Sequence, residues 1–219
     1  SWSFGLGSPD RRGYGLAQHD GESWIFREFE PLLPAADLRL VGRHNLANAL
    51  AALALAEVLA LPLESTLAAR KAFRGLPHRT ELVAEGLGVR FINDSKATNP
   101  GATLAALRGI EDRIVLILGG QGKDADFSEL CVEAASQCRA VVLMGEDAPL
   151  LDAALPDSLP RRRVEGMDAA VEAALGFAEP GDVVLLSPAC ASFDMFSGFE
   201  ARGDAFRAAV SQLLAGGRA

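Results

Sequence analysis

Ile114-Val115-Leu116-Ile117-Leu118-Gly119-Gly120-Gln121-Gly122-Lys123 is the stretch that decides the fold. Five consecutive aliphatic residues leave no polar face, so a strand built from them is covered on both sides. That is the habit of strands in a parallel sheet sandwiched between helices. The switch to glycines and a lysine marks the strand's carboxyl end, which is where open α/β sheets gather their ligands.

Outward from this stretch, similar apolar runs recur at 89–93, 140–144 and 182–186. Between and after them, apolar residues at helical spacing predict helices over 100–108, 127–137, 148–155, 168–178 and 199–214. A hairpin joins 81–84 to 89–93 through Glu85-Gly86-Leu87-Gly88. The alternation implies an α/β fold, with a Rossmann-like, mostly parallel sheet wrapped by helices. Before Gly75-Leu76-Pro77 the pattern differs. Short alternating runs over 1–41, with Ser23-Trp24-Ile25-Phe26 the clearest strand, predict a small antiparallel sheet. Two helices follow, over 45–60 and from about 64 to 73. The expected division is therefore residues 1–77 and 78–219.

The chain has 219 residues, a formal net charge of −8, 49% hydrophobic and 23% charged residues. Such a balance supports folded cores and disfavours nucleic acid or an anionic membrane surface as partner. Three cysteines, Cys131, Cys138 and Cys190, form no CxxC pair, so neither a disulfide framework nor a zinc site is signalled, and a reducing cytoplasm fits best. The Ala-rich run 46–63 is broken by Asn48, Glu57 and Pro62, so it reads as a packed helix, not a membrane span. Ser1-Trp2-Ser3-Phe4-Gly5 has neither an initiator Met nor a lead-in, so the chain is expected to be a fragment.

Three polar clusters follow apolar strands. In Asn93-Asp94-Ser95-Lys96-Ala97-Thr98-Asn99-Pro100, Asp94 can accept from ribose hydroxyls or hold a cation, Lys96 can offset a carboxylate or phosphate, and Thr98 can donate. The bland alternative is that Asp94, Ser95 or Thr98 merely caps the next helix. In Gly119-Gly120-Gln121-Gly122-Lys123-Asp124, the glycines permit close approach to an anion and Lys123 supplies charge, unless this is only a tight turn with a solvated lysine. It is no Walker loop, since GxxxxGK followed by Ser or Thr would need Gly at Ile117 and a hydroxyl at Asp124. In Ser187-Pro188-Ala189-Cys190-Ala191-Ser192-Phe193-Asp194, Ser192 and backbone N–H groups can bind a carboxylate. Cys190 is either a nucleophile or a small buried residue.

Asn45 and Asn48, at i and i+3 in Gly42-Arg43-His44-Asn45-Leu46-Ala47-Asn48, can reach one purine edge together. Alternatively Asn45 caps the helix and Asn48 is satisfied in the core. His78 and Arg79, at the hinge, can bracket a nucleotide or form a hinge ion pair. Arg161-Arg162-Arg163 reads as a solvated loop.

Together, the Gly42–Asn48 segment, Gly75-Leu76-Pro77-His78-Arg79, the Asn93–Asn99 cluster, the glycine loop with Lys123, and the Ser187–Asp194 run with Phe199 and Arg202-Gly203 resemble the Mur ligase family, specifically its members that handle D-glutamate. The similarity covers nearly the whole chain in the family's order. It implies that residues 1–77 end a central ATP-binding domain and that 78–219 form a C-terminal Rossmann-like domain. It implies ATP and Mg2+ as cofactors, phosphorylation of the UDP-N-acetylmuramoyl-L-alanine carboxylate, and attack of D-glutamate on the acyl phosphate in peptidoglycan synthesis. By the same resemblance Asn45, Asn48, His78, Arg79 and Asp94 lie on the ATP side. Lys96, Thr98, Lys123, Ser192, Phe193 and Phe199 form the D-glutamate pocket, with Lys96 and Lys123 as catalytic cations and no metal ligand in this chain. The phosphate-binding loop, the Mg2+-binding residues and a carbamylated lysine belong upstream, so the chain alone is expected to be an inactive, monomeric piece of a cytoplasmic enzyme. The competing readings are a nicotinamide-dependent dehydrogenase, which the missing GxGxxG disfavours, and a non-catalytic small-ligand module.

Overall fold

The structure, a computed structural model, describes residues 1–38, 42–73 and 75–216, apart from the side chain of His44. Contacts divide the chain into two compact units, Ser1–Gly75 and Leu76–Ala219. The division falls after Gly75 because Leu76 turns with the second unit: its carbonyl accepts from Arg79 N at 3.2 Å.

The first unit is a four-stranded sheet packed against one helix, with a second helix beside that one. Its strands are β1 (Ser3–Phe4), β2 (Gly13–His19), β3 (Glu22–Arg27) and β4 (Glu30–Pro34), in spatial order. β2, β3 and β4 are antiparallel as expected, but β1 runs parallel to β2. Tyr14, Ile25 and Leu33 pack against Ala49, Leu50 and Leu53 of α1 (Arg43–Val58). The opposite face of that helix leaves Leu55, Val58 and Leu59 more than 60% exposed, so the apolar run is packed on one side only. Glu57 ties the helix to the sheet, accepting from Arg27 Nη2 at 2.6 Å and from the Tyr14 hydroxyl at 2.8 Å. Arg27 is the chief cause of its lowered pKa. After Ala60 turns left-handed, Pro62 precedes α2 (Leu63–Ala72).

The second unit is the expected α/β domain. Along the chain it runs β5 (Glu81–Gly86), β6 (Val89–Asn93), α3 (Pro100–Gly109), β7 (Ile114–Gly119), α4 (Ser128–Gln137), β8 (Cys138–Met144), α5 (Ala148–Ala154), β9 (Arg161–Arg163), α6 (Met167–Phe177), β10 (Val183–Leu186) and α7 (Phe199–Gly216). The sheet order is β5-β6-β10-β7-β8-β9, parallel except for the β5–β6 hairpin. That hairpin turns on Leu87 and Gly88 alone, both at positive φ, a tighter turn than Glu85–Gly88. Every residue of β7 and β10 is buried. Val115, Ile117, Val142, Val184 and Leu186 point toward α6 and α7, so alternate residues face the side where α4 and α5 lie. Arg161–Arg163 is a strand, not a loop: it pairs with Val141–Leu143, and Arg161 is anchored by Asp152 and Asp157. Three arginines on a short outer strand also discourage edge-to-edge pairing.

Among the described residues, no helix is long and apolar enough to cross a membrane.

Candidate functional site

The sheet order brings the three polar clusters together. β10, last in sequence, lies between β6 and β7, so the loops that follow these three strands emerge side by side at their carboxyl ends. Backbone bonds zip them: Asp94 N donates to Leu186 O at 2.7 Å and Gly119 N to Pro188 O at 2.9 Å, while Gln121 and Ala191 exchange two bonds of 2.9 Å. The glycines are required by this closeness. A Cβ on Gly119 would stand 2.0 Å from the Met144 carbonyl oxygen, and one on Gly120 2.2 Å from that of Ala191.

Arg202 of α7 bolts two of the loops together and is fully buried. Its guanidinium donates to Ser95 Oγ (3.0 Å), the Ser95 carbonyl (2.8 Å) and the Cys190 carbonyl (3.0 Å). Burial pulls its pKa down to about 10, which still leaves it charged at neutral pH. The neighbouring Cys190 is 1% exposed and burial pushes its thiol up to about 12, so the nucleophile alternative gives way to the structural one.

Against this scaffold stand two lysines, each beside an aromatic ring of the segment that leads from β10 into α7. Lys96 Nζ sits 3.7 Å from the Phe199 ring centroid, and Lys123 Nζ 5.8 Å from that of Phe193. Phe193 is 67% exposed, and Lys123, at φ 53°, is exposed in a left-handed turn with Asp124. This exposure fits the solvated-lysine alternative for Lys123. Ser192 is buried within the same segment and Thr98 is exposed at the α3 entrance. The capping alternative does not apply to Asp94, Ser95 or Thr98, because Asn99 Oδ1 caps α3 by accepting from Ala102 N at 3.0 Å. Beside Lys123 opens a cleft of about 350 Å³ lined by Gln121, Asp124, Phe127, Glu146, Asp147 and Leu150.

His78, Arg79 and Asp94, the residues expected on the ATP side, lie near one another but turn different ways. The His78 ring turns inward: Nδ1 is 3.1 Å from Asn93 Nδ2 and its edge meets Phe199. α7 packs so closely there that a Cβ on Gly203 would fall 2.1 Å from His78 Nδ1. Asp94 also faces inward, with Oδ1 accepting from Thr80 N (3.0 Å) and Oδ2 from Ser187 Oγ (2.8 Å). Burial raises its carboxyl to about 6. Arg79 remains exposed between them.

In the first unit α1 begins at Arg43 after Gly42, so Asn45 is its third residue and not its cap. Asn48 is exposed one turn on, not buried in the core. Both bland readings of this pair fail on position alone.

Ser187, Thr103 and Asn93 are buried behind the loops, and no local spacing marks them as supports of the site. Arg202 could have been suspected, since an arginine amid apolar helix positions needs partners when buried.

A doubly wound domain that gathers two lysines and two aromatic rings at the carboxyl ends of adjacent parallel strands belongs to a class that can hold a small anion there. Residues 78–190 match the family described as Mur ligase, glutamate ligase domain, and the chain belongs to the Mur ligase family. It is 56% identical over 213 residues to the UDP-N-acetylmuramoylalanine--D-glutamate ligase of Nitrosococcus oceani, covering 96% of this chain and 47% of that protein. It is 50% identical over 216 residues to the enzyme of the same name from Pseudomonas aeruginosa, covering 97% and 48%. The chain thus spans about half the length of these curated relatives. The crystal structure of a UDP-N-acetylmuramate-alanine ligase from Thermotoga maritima superposes with a TM-score of 0.63 at 18% identity, over 93% of this chain and 46% of that one, a likeness of fold.

Proposed function

We propose that this chain provides the D-glutamate-binding part, and some of the ATP-binding part, of an ATP-dependent ligase that joins D-glutamate to UDP-N-acetylmuramoyl-L-alanine in peptidoglycan synthesis. The observation that carries it is the pairing of Lys96 with Phe199 and Lys123 with Phe193 around Ser192, at the mouth of the parallel sheet. A dicarboxylate needs fixed cations and donors, and a small amine nucleophile needs orientation more than acid–base assistance. The names of the two relatives fit this chemistry.

In the proposed reaction, ATP transfers its terminal phosphoryl group to the carboxylate of UDP-N-acetylmuramoyl-L-alanine, giving an acyl phosphate and ADP. The D-glutamate amine then attacks the acyl carbon: a C–N bond forms, the C–O bond to phosphate breaks, phosphate leaves and the amine sheds a proton. Lys123 and Ser192 hold the side-chain carboxylate of D-glutamate. Lys96 and Thr98 act on the reacting side, where the ammonium offsets developing negative charge, and Phe193 and Phe199 wall the pocket. Asn45 and Asn48 serve the adenine and Arg79 the phosphates, while His78 and Asp94 act from behind, holding the segment that carries Arg79. Mg2+ would be held by residues outside this chain, as would the phosphate-binding loop. Without that loop the transferring group has no clamp, so the chain alone turns over no ATP. The proposed unit is a monomer with no nucleic-acid partner.

Titration of the isotopically labelled chain with D-glutamate, ADP and NAD in separate experiments tests this. D-glutamate should perturb the signals of Lys123, Ser192 and Phe193, and Lys123→Ala should weaken its binding at least tenfold. Perturbation by NAD alone, or D-glutamate shifts remote from these residues, overturns the proposal.

A further inference from the structure

Four buried residues form one connected chain behind the site. Thr103 of α3 donates to the Ser187 carbonyl at 3.2 Å, and the two hydroxyl oxygens lie 3.1 Å apart. Ser187 donates to Asp94 Oδ2 at 2.8 Å, and Asp94 Oδ1 accepts from Thr80 N at 3.0 Å. Thr103 and Ser187 are wholly buried, Thr80 and Asp94 nearly so. The chain therefore runs from α3, across the ends of β10 and β6, to the short segment His78-Arg79-Thr80 that leads into β5.

That segment has an uncommon backbone. His78 and Thr80 both lie in the left-handed region, at φ 62° and 44°, which a β-branched residue such as Thr80 enters only under constraint. The constraints are visible. Glu81 Oε2 accepts from His78 N at 2.9 Å, the His78 carbonyl accepts from Lys96 N at 3.0 Å, and Asp94 accepts from Thr80 N. Arg79 sits between the two held residues with its side chain exposed.

We propose that Ser187 and Thr103 are positioning residues: through ionised Asp94 they keep Thr80 in its left-handed conformation and so fix how the backbone presents Arg79 to an anionic ligand. Ser187 has one hydroxyl proton and gives it to Asp94, while Thr103, whose own proton goes to the Ser187 carbonyl, holds the Ser187 backbone in place beside Asp94. A carboxylate is a stronger acceptor for the Thr80 amide than a protonated acid, so the grip depends on charge. The charged group acting on Asp94 is Arg79, which favours ionisation. α3 and β10 present neutral hydroxyls, while Arg202 from α7 engages the adjacent Ser95 and His78 engages Asn93. Burial dominates, which brings the titration to about pH 6. Only the last step, the use of Arg79 by a ligand, rests on the proposed function.

The test is a pH titration from 4 to 8 of the 13C,15N-labelled chain, following the Asp94 carboxyl carbon and the Thr80 amide. Both should titrate with one midpoint, near 6, with amide exchange at Thr80 accelerating below it. Ser187→Ala should raise the midpoint by roughly one unit, because a donor to the ionised form is lost. Thr103→Val should raise it less, while Thr103→Ser, which keeps the hydroxyl, should leave it in place. Asp94→Asn should abolish the titration of the Thr80 amide. A Thr80 amide indifferent to Asp94 ionisation, or a midpoint unmoved in both Ser187→Ala and Thr103→Val, overturns the proposal, and the wild-type titration decides even if Ser187→Ala does not fold. ADP added in a separate arm reports on Arg79. Absent ADP binding with an intact titration would sink the nucleotide reading alone.

Discussion

Asp94→Asn should make the second unit more stable at neutral pH, even though it removes a charged group that accepts hydrogen bonds from Ser187 and Thr80. The carboxyl titrates at about 6 in the fold against an ordinary value of 3.8, and burial is the chief cause. A group whose folded pKa lies above its unfolded value binds its proton more tightly when folded. Its contribution favours the fold at acid pH and is lost as pH climbs from about 4 through about 6. Two pKa units correspond to ~3 kcal/mol, the cost of keeping Asp94 ionised at pH 7. Asparagine avoids that cost while keeping contacts to both residues: Oδ1 still accepts from Thr80 N, and Nδ2 can donate to Ser187 Oγ, whose proton then turns to Thr103. The variant should therefore gain up to ~3 kcal/mol at pH 7 and nothing near pH 4. Urea unfolding measures this at several pH values. Trp2, Trp24 and Tyr14 all lie in the first unit, so their emission reports that unit. Far-ultraviolet dichroism or amide exchange must follow the second. A variant less stable than the parent at pH 7, or a difference identical at pH 4 and 7, would refute the reasoning. The neutral amide also grips Thr80 less firmly, so stability would rise where positioning weakens.

Gly120→Ala should cost on the order of 3 kcal/mol, since its Cβ would fall 2.2 Å from the Ala191 carbonyl oxygen at a φ of 129°; thermal unfolding checks this, and a loss under 1 kcal/mol would contradict the packing argument. Arg202→Met should destabilise the second unit by about 3–5 kcal/mol, because two carbonyls and the Ser95 hydroxyl lose their buried donor. Arg202→Lys should recover only part, as one ammonium cannot reproduce the fork that spans Ser95 and Cys190. Cys190, with its thiol near 12, should resist iodoacetamide at pH 8 in the folded chain and react at an ordinary rate in urea, readable by mass spectrometry of the peptide.

The sequence by itself determined the element types and where chemistry could gather. The run 114–118 could only be a strand covered on both faces, and the polar clusters after 92, 118 and 186 had to lie at strand ends, because a packed core cannot take glycine, lysine and serine in a row. Local rules read less well where a partner decides. Arg161–Arg163 shows no strand pattern, and becomes one because β8 offers an open edge and Asp152 and Asp157 anchor Arg161.

Tertiary structure alone decided the insertion of β10 between β6 and β7, which makes three distant clusters into one mouth. It also decided which way each polar group turns. His78 and Asp94 turn inward to Asn93, Thr80 and Ser187, while Arg79 between them stays outside. The reason is physical. Element type follows from residues a few places apart, whereas a buried carboxylate or guanidinium must be satisfied by whatever groups the topology brings within 3 Å, and those lie up to a hundred residues away.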